Sequence, residues 1–255
     1  MNDQREVLAI LQARMSSVRL PGKVLMKVNG LPMLQRQIER IKNSKKISKL
    51  IVATSRSKDD LPIIELCKEL GVESFAGSLD NVLERFLAVE SKFPHEVIVR
   101  LTGDCPLFMA DLCDEMIEKF LESTFDYYSN TIARTYPDGL DIEIFKSAAL
   151  RELEKLKPTS LEQEHVTLGI YTRPNKFACG NHANKVDFSK LRWTVDTEED
   201  LHFVRSVFSG FIGDESIFDF HDVFDFISKD PNWNILDMGS LRNSALIERM
   251  RKFDD

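Results

Sequence analysis

Hydrophobic and polar positions along the chain follow two rhythms. Val7–Gln12 is a short apolar run closed by charged and turn residues, the pattern of a strand buried on both faces. Residues 33–44 place Leu34, Ile38 and Ile41 four and three positions apart, which predicts an amphipathic helix. Residues 49–54 form a second buried strand, and residues 59–70 a helix that Gly71 can end. The alternation continues with a strand at 72–75, a helix at 80–92, a strand at 96–101 and a helix at 111–121. Four such alternations predict βαβ units on a parallel sheet.

The rhythm loosens after Phe125. Residues 125–129, 140–145, 177–182 and 191–195 read as strands, and 147–156, 161–168 and 197–208 as helices. Residues 125–185 are expected to form a small inserted subdomain or a dimer contact laid over the main sheet. Thr197 and Asp200 resemble a capping box, with Asp in place of Glu or Gln. Residues 211–255 read as a partly helical tail on the outside of a single domain spanning 1–255.

Composition narrows the classes. Hydrophobic residues make up 43% of the chain, which fits a globular core. The formal charge of −7 argues against a sequence-independent grip on nucleic acid. An anionic ligand would then need a local cationic pocket. The apolar run at the N-terminus is too short for a signal peptide core, and no run approaches the roughly 18 residues of a membrane span. Cys67, Cys105, Cys113 and Cys179 lack zinc-type spacing and are expected as reduced thiols. The expectation is a cytoplasmic protein without membrane or nucleic acid partners.

Three polar clusters follow predicted strands, where open α/β sheets bind ligands. The first, QARMSSVRLPGK, carries Arg14, Arg19 and Lys23 among small residues. Cations and close backbone approach are what a polyphosphate requires. It matches neither GxxxxGK[ST] nor GxGxxG, so an exposed basic turn is the competing reading. The second, LTGDCP, aims Asp104 past the end of a strand, where it could bind Mg²⁺ or simply hold a turn. The third, WTVDTEEDL, places Asp196 similarly, as a metal ligand or as a helix cap. If the two strands are neighbours, both carboxylates meet over one site.

In order, QARMSSVRLPGK, LTGDCP, DGLDIEIF and WTVDTEEDL resemble the cytidylyltransferase family that makes CMP-activated sugars, including the ketodeoxyoctonate and acylneuraminate synthetases. Their likeness is greatest to the spore-coat polysaccharide branch of the SpsF type. The resemblance implies a Rossmann-like, three-layer α/β nucleotidyltransferase fold with a mostly parallel sheet, CTP as substrate with Mg²⁺ as cofactor, and a homodimer. It assigns Arg14 and Lys23 to the phosphates and Asp104 and Asp196 to the metal. Leu11, Gln12, Ala13, Arg19, Gly22, Thr102 and Gly103 would surround the nucleotide, with Ser78, Asn81 and Arg85 of GSLDNVLER as further contacts, against a plain helix start. The chain has TGD where the ketodeoxyoctonate branch has QGD, and Gln12-Ala13 where that branch has proline-alanine. Both departures bear on the sugar rather than on the reaction.

The acceptor is expected at PDGLDIEIF. Asp141 and Glu143 share one strand face, and with Asp138 they suit the hydroxyls or amines of a sugar, unless the strand is a solvated edge. His165 in EQEHVT matches a family motif, although a single His at a helix end is commonly structural. The expected reaction is transfer of CMP from CTP to an acidic sugar in polysaccharide or glycoconjugate synthesis. A nucleotide-sugar glycosyltransferase would call for a DxD-like metal pair, which the chain lacks. A non-catalytic nucleotide-binding module is the other alternative.

Overall fold

β1 (Val7–Gln12) alternates its side chains between two cores: Val7, Ala9 and Leu11 enter one, Leu8 and Ile10 the other. Residues 6–229 are described by the computed structural model. A short hairpin, β2 (Lys27–Val28) and β3 (Leu31–Pro32), leads into α1 (Met33–Ile41). The βαβ rhythm follows: β4 (Ile47–Ser55), α2 (Leu61–Glu69), β5 (Glu73–Gly77), α3 (Val82–Lys92), β6 (Val97–Thr102) and α4 (Ala110–Leu121). β7 (Tyr127–Ser129), β8 (Glu143–Lys146), α5 (Ser147–Lys155), α6 (Ser160–Glu164), α7 (Leu168–Tyr171), β9 (Cys179–Asn181), α8 (Glu198–Gly210) and α9 (Phe220–Lys229) complete the order.

The main sheet has the order β5-β4-β1-β6-β8-β7-β9. β5, β4, β1 and β6 are parallel, β8 is antiparallel to both of its neighbours, and β7 and β9 are parallel. α1, α2 and α4 pack on one face and α3, α5 and α7 on the other, giving the expected three layers. A third apolar cluster joins Leu140, Trp193 and Val195 to α8 and α9. The segment 125–185 departs from expectation. Its strands extend the sheet instead of lying over it, because Tyr127, Ile144 and Phe145 are buried against the helices on the two faces.

Two further differences concern local structure. The helix expected at 161–168 breaks into α6 and α7 around Val166, whose φ is 49°. Left-handed backbone is costly for a β-branched residue, and the break follows His165. Residues 191–195 are extended but join no sheet. They make one bridge, between Arg192 and Asp138, because the segment leaves the sheet to cover the 137–140 turn. Gly139 permits this approach: its φ is 108°, and a Cβ there would lie 2.5 Å from the Thr194 nitrogen. Of the expected tail, α9 is described and packs against α8; residues 230–255 lie outside the described residues. Among the described residues no helix is long and apolar enough to cross a membrane.

Candidate active site

From β1 the chain moves to β4 and β5 on one side and then returns to β6 on the other. The strand order therefore reverses between β1 and β6, and a crevice opens beyond their carboxyl ends. Gln12 and Thr102 pair in register at that edge, and the Gly103 N–H donates to the Gln12 carbonyl at 2.8 Å.

The basic loop is folded on itself. The Met15 carbonyl accepts from the Ser17 and Gly22 N–H groups, each at 2.9 Å. Gly22, with φ of 73°, turns the chain into a short 3-10 helix, Lys23–Leu25, that carries Lys23 inward. Asp60 pins the loop to the end of β4. It is 1% exposed and accepts from the Met15 N–H at 2.7 Å, the Ser55 N–H at 3.1 Å and the Ser55 hydroxyl at 2.5 Å. The sequence gives no sign of this, since a carboxylate before a helix reads as a cap. Asp60→Ala leaves three donors unpaired and should cost about 2–3 kcal/mol in urea denaturation. It should also weaken CTP binding by calorimetry; unchanged CTP affinity would separate Asp60 from the loop's function.

Lys23 is 7% exposed, and its ammonium lies within hydrogen-bonding distance of Asp104 Oδ2 (3.1 Å), Asp196 Oδ1 (2.9 Å) and the Val195 carbonyl (2.6 Å). The Val195 N–H donates to the Asp104 carbonyl at 2.8 Å, so the two carboxylates do meet. Burial pushes the Asp104 carboxyl up, but the Lys23 charge and the hydrogen bonds from Thr102 and Lys23 outweigh it and hold it at about 2. Burial likewise pushes Lys23 down, and Asp104 and Asp196 raise it above its ordinary value. Arg19 reaches Asp196 Oδ2 at 2.8 Å. Asp196 does not cap α8: Thr197 does, in a capping box with Asp200. Two carboxylates and a carbonyl around one ammonium form an all-oxygen setting that suits Mg²⁺, with waters or phosphates supplying the other ligands.

Two adjoining cavities share Arg19, Arg100, Thr102, Asp104, His165 and Asp196. The first, about 270 Å³, is also lined by Gln12, Ala13, Arg14, Lys23, Arg85 and Gly103. Arg85 is buried, and its Nε has no hydrogen-bond partner. Burial, and then the charge of Arg14, push it down to about 10. Buried positive charge facing a cavity favours an anion. Ser78 and Asn81 line neither cavity. The Ser78 hydroxyl accepts from the Asn81 N–H and Asn81 caps α3, so both serve the helix start. Leu11 is core, and Gly22 acts by shaping the loop.

The second cavity, about 220 Å³, contains the acceptor candidates Asp138, Asp141, Glu143 and His165 together with Thr131, Arg134, Thr167 and Tyr171. The strand is not a solvated edge. Glu143 pairs with Arg100 and accepts from the Tyr127 and Thr167 hydroxyls. Asp141 pairs with Arg134 at 2.9 Å, and Asp138 with Arg192 at 2.8 Å. Binding Asp138 and Asp141 to separate arginines is unlike a DxD-type metal pair. Sequence pattern does not mark Arg100 or Arg134: the partner of Arg100 lies on another strand, and that of Arg134 seven residues along the same irregular loop. Cys105 also lines this cavity; burial and the nearby Asp104 raise its thiol well above the ordinary value, so it is a poor nucleophile there.

Comparison with known proteins identifies the family. A family model described as cytidylyltransferase matches residues 8–222. The spore coat polysaccharide biosynthesis protein SpsF of Bacillus subtilis is 32% identical over 215 residues, covering 82% of this chain and 87% of SpsF. A cytidylyltransferase structure from Leptospira borgpetersenii superposes with a TM-score of 0.87 at 33% identity, over 93% of this chain and 99% of that one. The structure of CMP:2-keto-3-deoxy-manno-octonic acid synthetase complexed with CTP shares the fold, with a TM-score of 0.64 at 18% identity, over 80% of this chain and 99% of that one. The chain is an enzyme of the cytidylyltransferase family, and SpsF is among its homologues.

Proposed function

We propose that the enzyme transfers CMP from CTP to an oxygen of an acidic sugar and releases pyrophosphate, in polysaccharide or glycoconjugate assembly. The observation that carries this reading is the meeting of Lys23, Asp104 and Asp196 at the junction of the two cavities. Family membership supports CTP as the nucleotide.

On this reading Arg14, Arg19 and Lys23 bind the triphosphate, and Arg85 adds buried positive charge behind it. The acceptor occupies the second cavity, where Thr131, Thr167, Asp138 and Asp141 are placed to hydrogen-bond its hydroxyls and Arg134 can meet its acid group. An acceptor hydroxyl oxygen bonds to the α-phosphorus, losing its proton to solvent, as the bond to the β-phosphate oxygen breaks, and Lys23 follows the charge that develops on pyrophosphate. Asp104 and Asp196 would hold Mg²⁺, which would supply charge neutralisation at the phosphates. Catalysis is then mainly positioning and electrostatics.

The test is pyrophosphate release from each of four nucleoside triphosphates with Mg²⁺ and a panel of sugar acids, neutral sugars and sugar phosphates. CTP with a sugar acid is expected to turn over. Faster release with another nucleotide, or none with any pair, would overturn the proposal; CTP binding without turnover would indicate a binding module.

A further inference from the structure

Arg192 lines neither cavity, yet it joins them. It is 6% exposed, and its guanidinium contacts three carboxylates. Nε and Nη2 donate to the two oxygens of Asp200 at 2.9 and 3.1 Å. Nη2 also donates to Asp196 Oδ2 at 2.7 Å, and Nη1 to Asp138 Oδ2 at 2.8 Å. Asp200 is itself fixed, because Oδ2 accepts from the Asp196 and Thr197 N–H groups at 2.8 and 2.9 Å. The arginine is thus anchored to the start of α8 by one carboxylate and reaches Asp196, which the two cavities share, and Asp138 of the second.

We propose that Arg192 is a positioning residue that turns Asp196 toward the nucleotide-side cation and ties that orientation to the acceptor loop through Asp138. The division of labour at Asp196 supports it. Arg192 and Arg19 hold Oδ2, which leaves Oδ1 directed at the cation position where the Lys23 ammonium lies. A planar fork with five donors in fixed directions can hold three carboxylates in one relative geometry, whereas a lysine ammonium cannot. Partners that orient a metal ligand typically alter metal affinity by about 10–100-fold when changed. A purely structural arginine would move stability and leave metal affinity alone.

This inference rests on the reading of Asp196 as a ligand for a divalent ion, and the experiment separates the two. The affinity of the protein for Mn²⁺–CTP, by water proton relaxation, is compared with its affinity for CTP in EDTA, by calorimetry. The wild type is expected to prefer Mn²⁺–CTP, and Asp196→Asn to lose the preference; if the wild type shows none, the metal reading itself fails and the inference with it. Arg192→Lys should cut the preference about tenfold, with metal-free CTP affinity within about twofold of wild type and an unchanged far-ultraviolet spectrum. Asp138→Asn, which reaches Asp196 through Arg192, should cut it by a smaller factor than Arg192→Lys does. A wild-type preference in a folded Arg192→Lys protein would overturn the role of Arg192, and one in Asp138→Asn would overturn the link to the acceptor loop.

Discussion

Asp104→Asn is expected to lower pyrophosphate release by roughly 10²–10³-fold while the protein remains folded. The replacement keeps the shape of the side chain and the Asp104 carbonyl, which accepts from the Val195 N–H and the Thr194 hydroxyl. What it removes is a charge. Lys23 would keep Asp196 and the Val195 carbonyl, so the stability cost should be limited to about 1–3 kcal/mol. Paired steady-state and thermal-melt measurements separate the two effects, and near-normal turnover would remove Asp104 from the reacting centre. The pH dependence has a definite sign. A carboxyl held at about 2 in the fold, against roughly 3.9 when unfolded, stabilises the protein above pH ~4, and that contribution is lost as pH falls toward 2. The Asn variant should lack this part of the acid sensitivity.

Lys23→Met should have the other large effect, and it should depend on what else is bound. Its ammonium is the cation between two carboxylates, 3.1 Å from one and 2.9 Å from the other. Removing one partner of a buried ionic cluster typically costs about 3–5 kcal/mol. The two carboxylates left facing each other would then accept a divalent ion in its place. Thermal melts without nucleotide should therefore show little response of the wild type to millimolar Mg²⁺ and a clear upward shift of Lys23→Met. CTP affinity should fall in the same variant, because a phosphate partner is lost. Equal responses of both proteins to Mg²⁺ alone would show that Lys23 does not compete for that position.

Much of the frame is legible in the residues. The alternation up to residue 121 reports a parallel sheet because buried strands are uniformly apolar and the covering helices are not. On the phosphate side, Lys23, Asp104 and Asp196 follow apolar runs, but a basic turn, a turn aspartate and a helix cap fit the same residues, and the resemblance to a family is what assigns them. The acceptor side is harder to read. β7 and β9 are three residues each, too short for a period to show, and β8 reverses direction without any composition change. Arg100 sits inside an apolar strand, Arg134 in a turn, and Arg192 before Trp193, so nothing local marks them as partners of Glu143, Asp141 and Asp138. Two of these pairings join distant elements and the one between Arg134 and Asp141 closes within a single irregular loop; neither kind has a signature in spacing. Ser78 and Asn81 show the opposite problem, since a helix cap and a ligand contact call for the same residue types.

Ser129 and Glu143 stand opposite each other in the β7–β8 register. The chain between them therefore leaves and re-enters the sheet at one point, fixed at both ends, and carries Thr131, Arg134, Asp138 and Asp141 as a unit. The phosphate-side loop, between β1 and the 3-10 turn, belongs to a different stretch of backbone. The two halves of the site thus come from separate stretches of backbone, joined through Arg192 between Asp196 and Asp138. Residues 130–142 form a cassette that could be exchanged with that of a homologue to redirect the acceptor, provided the graft retains the carboxylate that meets Arg192.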